Sequence, residues 1–312
     1  MYDYQKKIFK NFEKFFYKPS WNYPFYCNNS KKNDYLEEYF IEYFAQNQIK
    51  KDTFYIPVNW TSVYKLVSET NDWTSYDKLQ LELNSLNPNY QYFTICTNDN
   101  APLNILPSRT INFSAGTCCC DAAMKNALKD QRINIPIPLI CKQIPKNLIT
   151  IQEKIYTASF IGRNTHQIRK ILKTKLSHLN KYYIQINNKN ISDVDSLNYV
   201  EMMNFINLGS SSIFSFCPRG VVSASYRLYE VMQLNSIPIY ISDTFWLPWE
   251  QEINWKSFCI LVKDENIDCI PEILEKEIKD KNYINKLNVI NKIYDKYFTL
   301  ESVTKNILNM IK

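Results

Sequence analysis

Short apolar runs, turn residues and segments of helical spacing alternate along this chain, most clearly in its second half. Ile213 to Cys217 and Ile237 to Ile241 are two apolar runs; between them lie a Pro218-Arg219-Gly220 turn and a stretch, Ser223 to Leu234, whose spacing predicts a helix. Strand, turn, helix, strand is half of a parallel α/β sheet, in which strands covered on both faces read as continuous apolar runs. The same order occurs upstream. Thr157 to Ile161 reads as a strand, Gly162-Arg163-Asn164 as its turn, Ile168, Ile171, Leu172 and Leu176 as one helix face, and Tyr182 to Ile186 as the next strand. Asp195 or Ser196 is expected to cap a helix carrying Tyr199, Met202, Met203 and Ile206. Cys259 to Val262 is one more strand and Pro271 to Ile278 a helix opened by its proline, while Leu300, Val303, Ile307 and Ile311 keep helical spacing to the end.

The first half carries the same pattern less cleanly. Phe12, Phe15 and Phe16, then Leu36, Tyr39, Phe40 and Tyr43, recur at helical spacing. Thr53 to Val58 and Tyr92 to Cys96 read as strands, and Asp77 to Leu86 as a polar helix. The stretch from Ala101 to Ile133 reads as a loop, and Ile135-Pro136-Ile137-Pro138-Leu139-Ile140 as an extended segment approaching a domain boundary near residue 150. The expected architecture is therefore α/β, with two Rossmann-like domains, 1–150 and 151–312.

Composition narrows the picture. A chain of 312 residues with 45% hydrophobic residues has core enough for two domains and is not of disordered type. The net charge of +6 suits an anionic small molecule or an acidic glycan but falls short of a nucleic-acid footprint, and no basic cluster supplies one. Nine cysteines, an odd number without CxxC spacing and including the consecutive Cys118, Cys119 and Cys120, fit reduced thiols. The start, MYDYQKKIFKNFEKFF, is polar, and no long apolar run follows, so a cytoplasmic protein without a membrane anchor is expected.

Candidate chemistry concentrates after the strand Ile213 to Cys217. Ligands of parallel α/β sheets bind beyond the carboxyl ends of the strands. There Arg219 offers a planar, permanently charged fork, Gly220 lets backbone come close, and the following helix would point its free N–H groups at the same place. This is a phosphate site by residue type. Arg163, after the first strand of the same domain, is a second cation for it. Ser223 and Ser225 would lie in the first helical turn, as caps or as phosphate ligands. Arg227 and Glu230, three apart, share a helix face and form either an ordinary ion pair or part of the site. Ser242 and Asp243 end the strand Ile237 to Ile241 at the same edge, where Asp243 binds a ligand or forms a turn. Trp246, Trp249 and Trp255 are core residues, with one at most free to stack on a sugar. His166 and His178 both fall in the second domain's first helix.

The series Phe216-Cys217-Pro218-Arg219-Gly220, Ser225-Tyr226-Arg227-Leu228-Tyr229-Glu230, Ile237-Pro238-Ile239, Ser242-Asp243, Leu247-Pro248 and Ile253-Asn254-Trp255 resembles the donor-binding half of exostosin-type glycosyltransferases. The resemblance implies a GT-B enzyme, its two domains facing a cleft, that transfers a sugar from a UDP-sugar to a glycan hydroxyl with inversion and without a metal. It also implies that Glu230 holds the ribose hydroxyls, that Arg227 faces the diphosphate or positions Glu230, and that Asp99, in a polar motif ending an N-domain strand, is the base, with Glu69, Asp72 and Asp121 as alternatives. By the same analogy the final helix crosses back to the first domain. Asp193-Val194-Asp195 has the form of a metal-binding D-x-D but reads here as a capping loop. The reading from a different class is a glycan-binding or partner-stabilising protein that has kept the fold without activity; Arg219, Arg227 and Glu230 together speak against it.

Overall fold

The computed structural model describes residues 2–15, 35–47, 49–70, 73–99, 102, 104–116, 131–140, 143–150, 152–187 and 199–311. Two compact units result: one runs to Pro138 and takes back the chain from Leu300 on, the other holds Leu139–Thr299. Both are α/β with wholly parallel sheets, the fold class expected from the sequence.

In the first unit, helices α1 (Tyr2–Phe12) and α2 (Leu36–Gln46) precede strand β1 (Phe54–Tyr55), helices α3 (Trp60–Thr70) and α4 (Thr74–Asn84), and strands β2 (Tyr92–Cys96), β3 (Thr110–Ser114) and β4 (Ile133–Pro136). The sheet order is β1-β2-β3-β4. Its core is aromatic, with Tyr55 stacked on Phe93 at 4.9 Å and Phe40 and Phe44 packed on Tyr55. β3 corrects the expectation of a loop from Ala101 to Ile133. Its Asn112, fully buried, interrupts the apolar run but donates across the ladder to Asn134 Oδ1 at 2.9 Å, so the amide N–H of the strand's polar residue is answered by its neighbour.

The second unit contains β5 (Tyr156–Arg163), α5 (Gln167–Leu176), β6 (Tyr182–Asn187), α6 (Tyr199–Ser210), β7 (Ser212–Pro218), α7 (Arg227–Glu230), β8 (Ile237–Ile241), β9 (Ile260–Val262), α8 (Ile270–Lys279) and α9 (Asn282–Tyr297). The order β6-β5-β7-β8-β9 is that of a doubly wound sheet, and the strand order reverses between β5 and β7. Gly162 and Arg163 belong to β5 and not to a turn after it. The long helix expected from Ser223 to Leu234 is only the four residues of α7, continued by a 3₁₀ turn, Val231–Leu234. Residues from Gly220 to Ser225 are kept out of the helix by their own turn, Gly220 N–H to Ala224 O at 3.0 Å, and by the buried Tyr240 hydroxyl, which donates to Ser223 O at 2.8 Å. α9 fills a stretch that the sequence reading left unassigned.

The final helix α10 (Leu300–Met310) belongs to the first unit, where Lys51 Nζ donates to Ile311 O at 2.9 Å. Cys96, Cys217 and Cys259 are buried free thiols and Cys269 an exposed one, whereas Cys118 to Cys120 lie outside the described residues. Among the described residues no helix is long and apolar enough to cross a membrane.

Lys154 closes the amino-terminal edge of the second sheet. Its ammonium donates to the carbonyls of Ser210, Ser212 and Asn235 at 2.8, 3.0 and 2.6 Å. The carbonyls favour the charged form, but burial outweighs them and lowers the pKa to about 8. The unfolded chain then binds more protons between pH 8 and 10.5, so this group's contribution is full above the unfolded value and is lost as pH falls to about 8. Thermal melts of the wild type and of Lys154→Met should diverge in the wild type's favour as pH rises through that window; a constant difference would contradict the assignment.

Candidate functional site

The reversal between β5 and β7 opens a crevice at the carboxyl ends of the strands, where a doubly wound sheet binds its ligands. Arg163 ends β5, Arg219 follows β7, and Asp243 lies two residues past β8. The structure brings the three to one edge of the sheet. Sequence reasoning missed the residue that fixes them. Arg169, in the first turn of α5 and 7% exposed, sends Nη1 to Arg163 O at 2.8 Å, Nη2 to Pro218 O at 3.2 Å and Nε to Arg219 O at 3.1 Å. One guanidinium thus ties the two strand ends together across the crevice. Its side chain also packs on Phe160, 5.5 Å from the ring centre.

Three donors at this edge are buried and have no partner: Arg163 Nη1, Thr165 Oγ1 and Arg219 Nε. Gly220 adds room beside Thr165 Oγ1 and the Arg169 guanidinium. A Cβ at Gly220 would lie 3.4 Å from Ala224 O and 3.8 Å from both Arg169 Nη2 and Thr165 Oγ1. Gly220 adopts no positive φ, so its contribution is space and not backbone freedom. A buried donor without an acceptor costs about 1–3 kcal/mol. Several such donors at one sheet edge, beside charged guanidinium groups, make a place that an anion would satisfy.

The positive helix end at this edge is not the one expected from the sequence. α7 starts seven residues after Gly220, whereas α5, ten residues long, begins beside Thr165. His166 is the N-cap of α5 and not a residue within the helix; its Nδ1 accepts from Ile168 N–H at 3.3 Å. Ser223 and Ser225 are buried ahead of α7, whose cap residue is Tyr226, so neither serine caps the helix. Ser242 is buried as well, its hydroxyl donating to Thr244 O at 2.6 Å to shape the turn that presents Asp243. Trp249 and Trp255 are core, and Trp246 alone of the three is half-buried.

Arg227 and Glu230 form the ion pair that their spacing allows. Glu230 is 2% exposed; Arg227 also donates to Ile161 O at 3.1 Å and lies 4.0 Å over the Phe205 ring, which leaves the pair rigid. Of the two expected roles for Arg227, positioning Glu230 is the one this geometry supports.

In the first unit Asp99 sits in the bend after β2, half-buried. The same edge contains a carboxylate that sequence reasoning missed. Glu37, on α2 and 1% exposed, accepts from Thr61 N–H at 3.0 Å, Thr61 Oγ1 at 2.9 Å, Thr97 N–H at 2.5 Å and Thr97 Oγ1 at 2.8 Å. It answers the amino end of α3 and pins the residue that leads to Asp99. Burial pushes its carboxyl up, against the pull of these donors. Asp72, Asp121 and the Asp193-Val194-Asp195 segment lie outside the described residues, as does the side chain of Glu69.

A family profile described as the Exostosin GT47 domain matches residues 41–276. The chain is 25% identical over 142 residues to the exostosin-1 homolog of Caenorhabditis elegans, covering 45% of this chain and 36% of that protein. It is 26% identical over 190 residues to exostosin-1 of Drosophila melanogaster, covering 53% of this chain and 25% of that one. These matches span about a third or less of the relatives' length. Among solved structures, Anabaena HepE in complex with UDP is similar over 86% of this chain and 81% of that chain, with 9% identity and a TM-score of 0.45.

Two outcomes follow from the site's geometry. Glu37→Gln turns one acceptor oxygen into an amide donor beside backbone N–H groups of Thr61 and Thr97 that can only donate, and should weaken the first unit by about 2–3 kcal/mol in denaturant unfolding; an unchanged transition would contradict the network. His166 is held below its ordinary value by burial and by Arg219 and Arg169, against the opposing charges of Asp243 and Asp264. Its neutral form is therefore the folded one, present above about pH 6.5 and lost as pH falls through the lowered value. Wild type should lose stability relative to His166→Asn as pH drops below that point; parallel melting curves would count against this.

Proposed function

This chain belongs to the exostosin GT47 family, and we propose that it is an inverting glycosyltransferase that moves a sugar from a UDP-sugar to a glycan hydroxyl without a metal. The observation that carries the proposal is the trio of buried, unanswered donors, Arg163 Nη1, Thr165 Oγ1 and Arg219 Nε, at the point where the second sheet reverses. A diphosphate supplies the acceptors that they lack. In this reading Arg219 and Arg163 offset its charge, the amino end of α5 adds to them, and the cradle at Gly220 admits the phosphate oxygens. Glu230, steadied by Arg227, holds the ribose hydroxyls.

The reaction then needs two things of the chain. The bond between the anomeric carbon and the diphosphate oxygen breaks as the acceptor oxygen attacks from the opposite face, and the bonding pair leaves with the diphosphate, where the arginines stabilise it. The acceptor's proton goes to a carboxylate, for which Asp99 is the proposed base, at the carboxyl edge of the first sheet and steadied through Thr97 by Glu37. Neutralising the leaving group with arginines is what makes a metal dispensable in this scheme. The acceptor side is assigned to the first unit and the donor side to the second.

Calorimetry against UDP, GDP and a panel of UDP-sugars, with EDTA present, tests this. UDP should bind in EDTA and raise the melting temperature, GDP should bind more weakly, and Arg219→Ala should lose at least tenfold in affinity. If no nucleotide binds, the transferase reading fails and a glycan-binding protein takes its place.

A further inference from the structure

Arg169 and Arg219 use their guanidinium groups in opposite ways. Those of Arg169 are spent on three backbone carbonyls, partners that cannot leave without breaking the sheet edge. Arg219 gives Nη2 to Val221 O at 3.0 Å but Nη1 to a side chain, the carboxylate of Asp243, and its Nε remains unanswered. The exposures are unequal: 12% for the arginine side chain against 48% for the aspartate. An anion arriving from solvent therefore meets the carboxylate before the guanidinium.

The backbone around Asp243 is fixed by contacts that do not involve its carboxylate. Lys263 Nζ donates to Asp243 O, and the Ser242 hydroxyl anchors the turn through Thr244 O. The carboxylate is held by Arg219, by a 3.3 Å contact from Ser242 Oγ and by the backbone N–H groups of Thr244 and of Asp243 itself, donors that all lie within its own turn except the arginine. Rotation about the side-chain torsions alone would free the arginine. Across the same edge the carboxylate acts on His166, the N-cap of α5, and favours its charged form against Arg219.

We propose that Asp243 is an internal counter-ion, an affinity-setting residue that occupies Arg219 in the free protein and that the phosphates of the donor must displace. This rests on the donor site proposed above. It assigns Asp243 a role against binding, where a contact to the sugar or to the ribose would be a role for it. The exchange lets Arg219 stay compensated while the site is empty, and it weakens the grip on the diphosphate, including that of the product nucleotide, which must leave in every cycle.

The test is UDP and inorganic pyrophosphate binding to the wild type, Asp243→Asn and Asp243→Ser, with a melting curve of each to confirm the fold. Removing the carboxylate should tighten both ligands about fivefold at low ionic strength, and the gain should shrink in 0.5 M salt, about where exposed charges are screened within a few ångströms. Equal gains for UDP and pyrophosphate would locate the effect at the phosphates. Unchanged or weaker binding in both variants would overturn the proposal and make Asp243 a ligand or an orienting residue. Absence of UDP binding by the wild type would instead remove the donor site on which it rests, an outcome separable from the first because the variants are not needed to see it.

Discussion

The site depends on one guanidinium that binds no ligand. Arg169 joins the carbonyls at the ends of β5 and β7, the two strands between which the sheet order reverses. At such a reversal the helices that follow the two strands lie on opposite faces of the sheet, so nothing in the ladder itself covers the strand ends. A planar group with five donors can span them, and by spanning them it fixes where Arg163, Arg219 and Gly220 are presented. The cost of burying that charge is offset by three carbonyl acceptors and by the face of Phe160.

The two units show what the carboxyl edge of a parallel sheet becomes under opposite choices of side chain. In the first, Glu37 delivers a carboxylate to the amino end of α3 and to Thr97, so the N–H groups and hydroxyls of Thr61 and Thr97 are answered from within the chain. In the second, Arg163, Thr165 and Arg219 keep buried donors without acceptors. One edge holds its own anion, while the donors of the other are those that the proposed diphosphate would answer. This asymmetry is the physical reason for assigning the nucleotide to the second unit and leaving the first for the acceptor.

Where strands are buried on both faces the sequence was easy to read: β2 and β8 stand at the residues that their apolar runs mark, Tyr92–Cys96 and Ile237–Ile241. β3 was hidden by a buried asparagine whose cross-strand partner is not visible in a linear pattern. The segment after Gly220 has helical spacing, but a tertiary hydrogen bond from Tyr240 outcompetes it, and the two serines expected at a helix start are buried in a loop instead. Arg219, Arg163 and Asp243 could be placed at the sheet edge because each stands two residues past an apolar run. Arg169 and Glu37 were not: each is one charged residue on an otherwise ordinary amphipathic helix, and only the fold shows that its charge points inward.

The central claim is that the crevice between β5 and β7 holds a nucleotide's diphosphate. A crystal structure of the protein with UDP tests it most directly. The account predicts phosphate oxygens within hydrogen-bond distance of Arg163 Nη1, Thr165 Oγ1 and Arg219, at the amino end of α5, with the Arg169 bridges unchanged. A diphosphate bound elsewhere, with those three donors still unanswered, would contradict it.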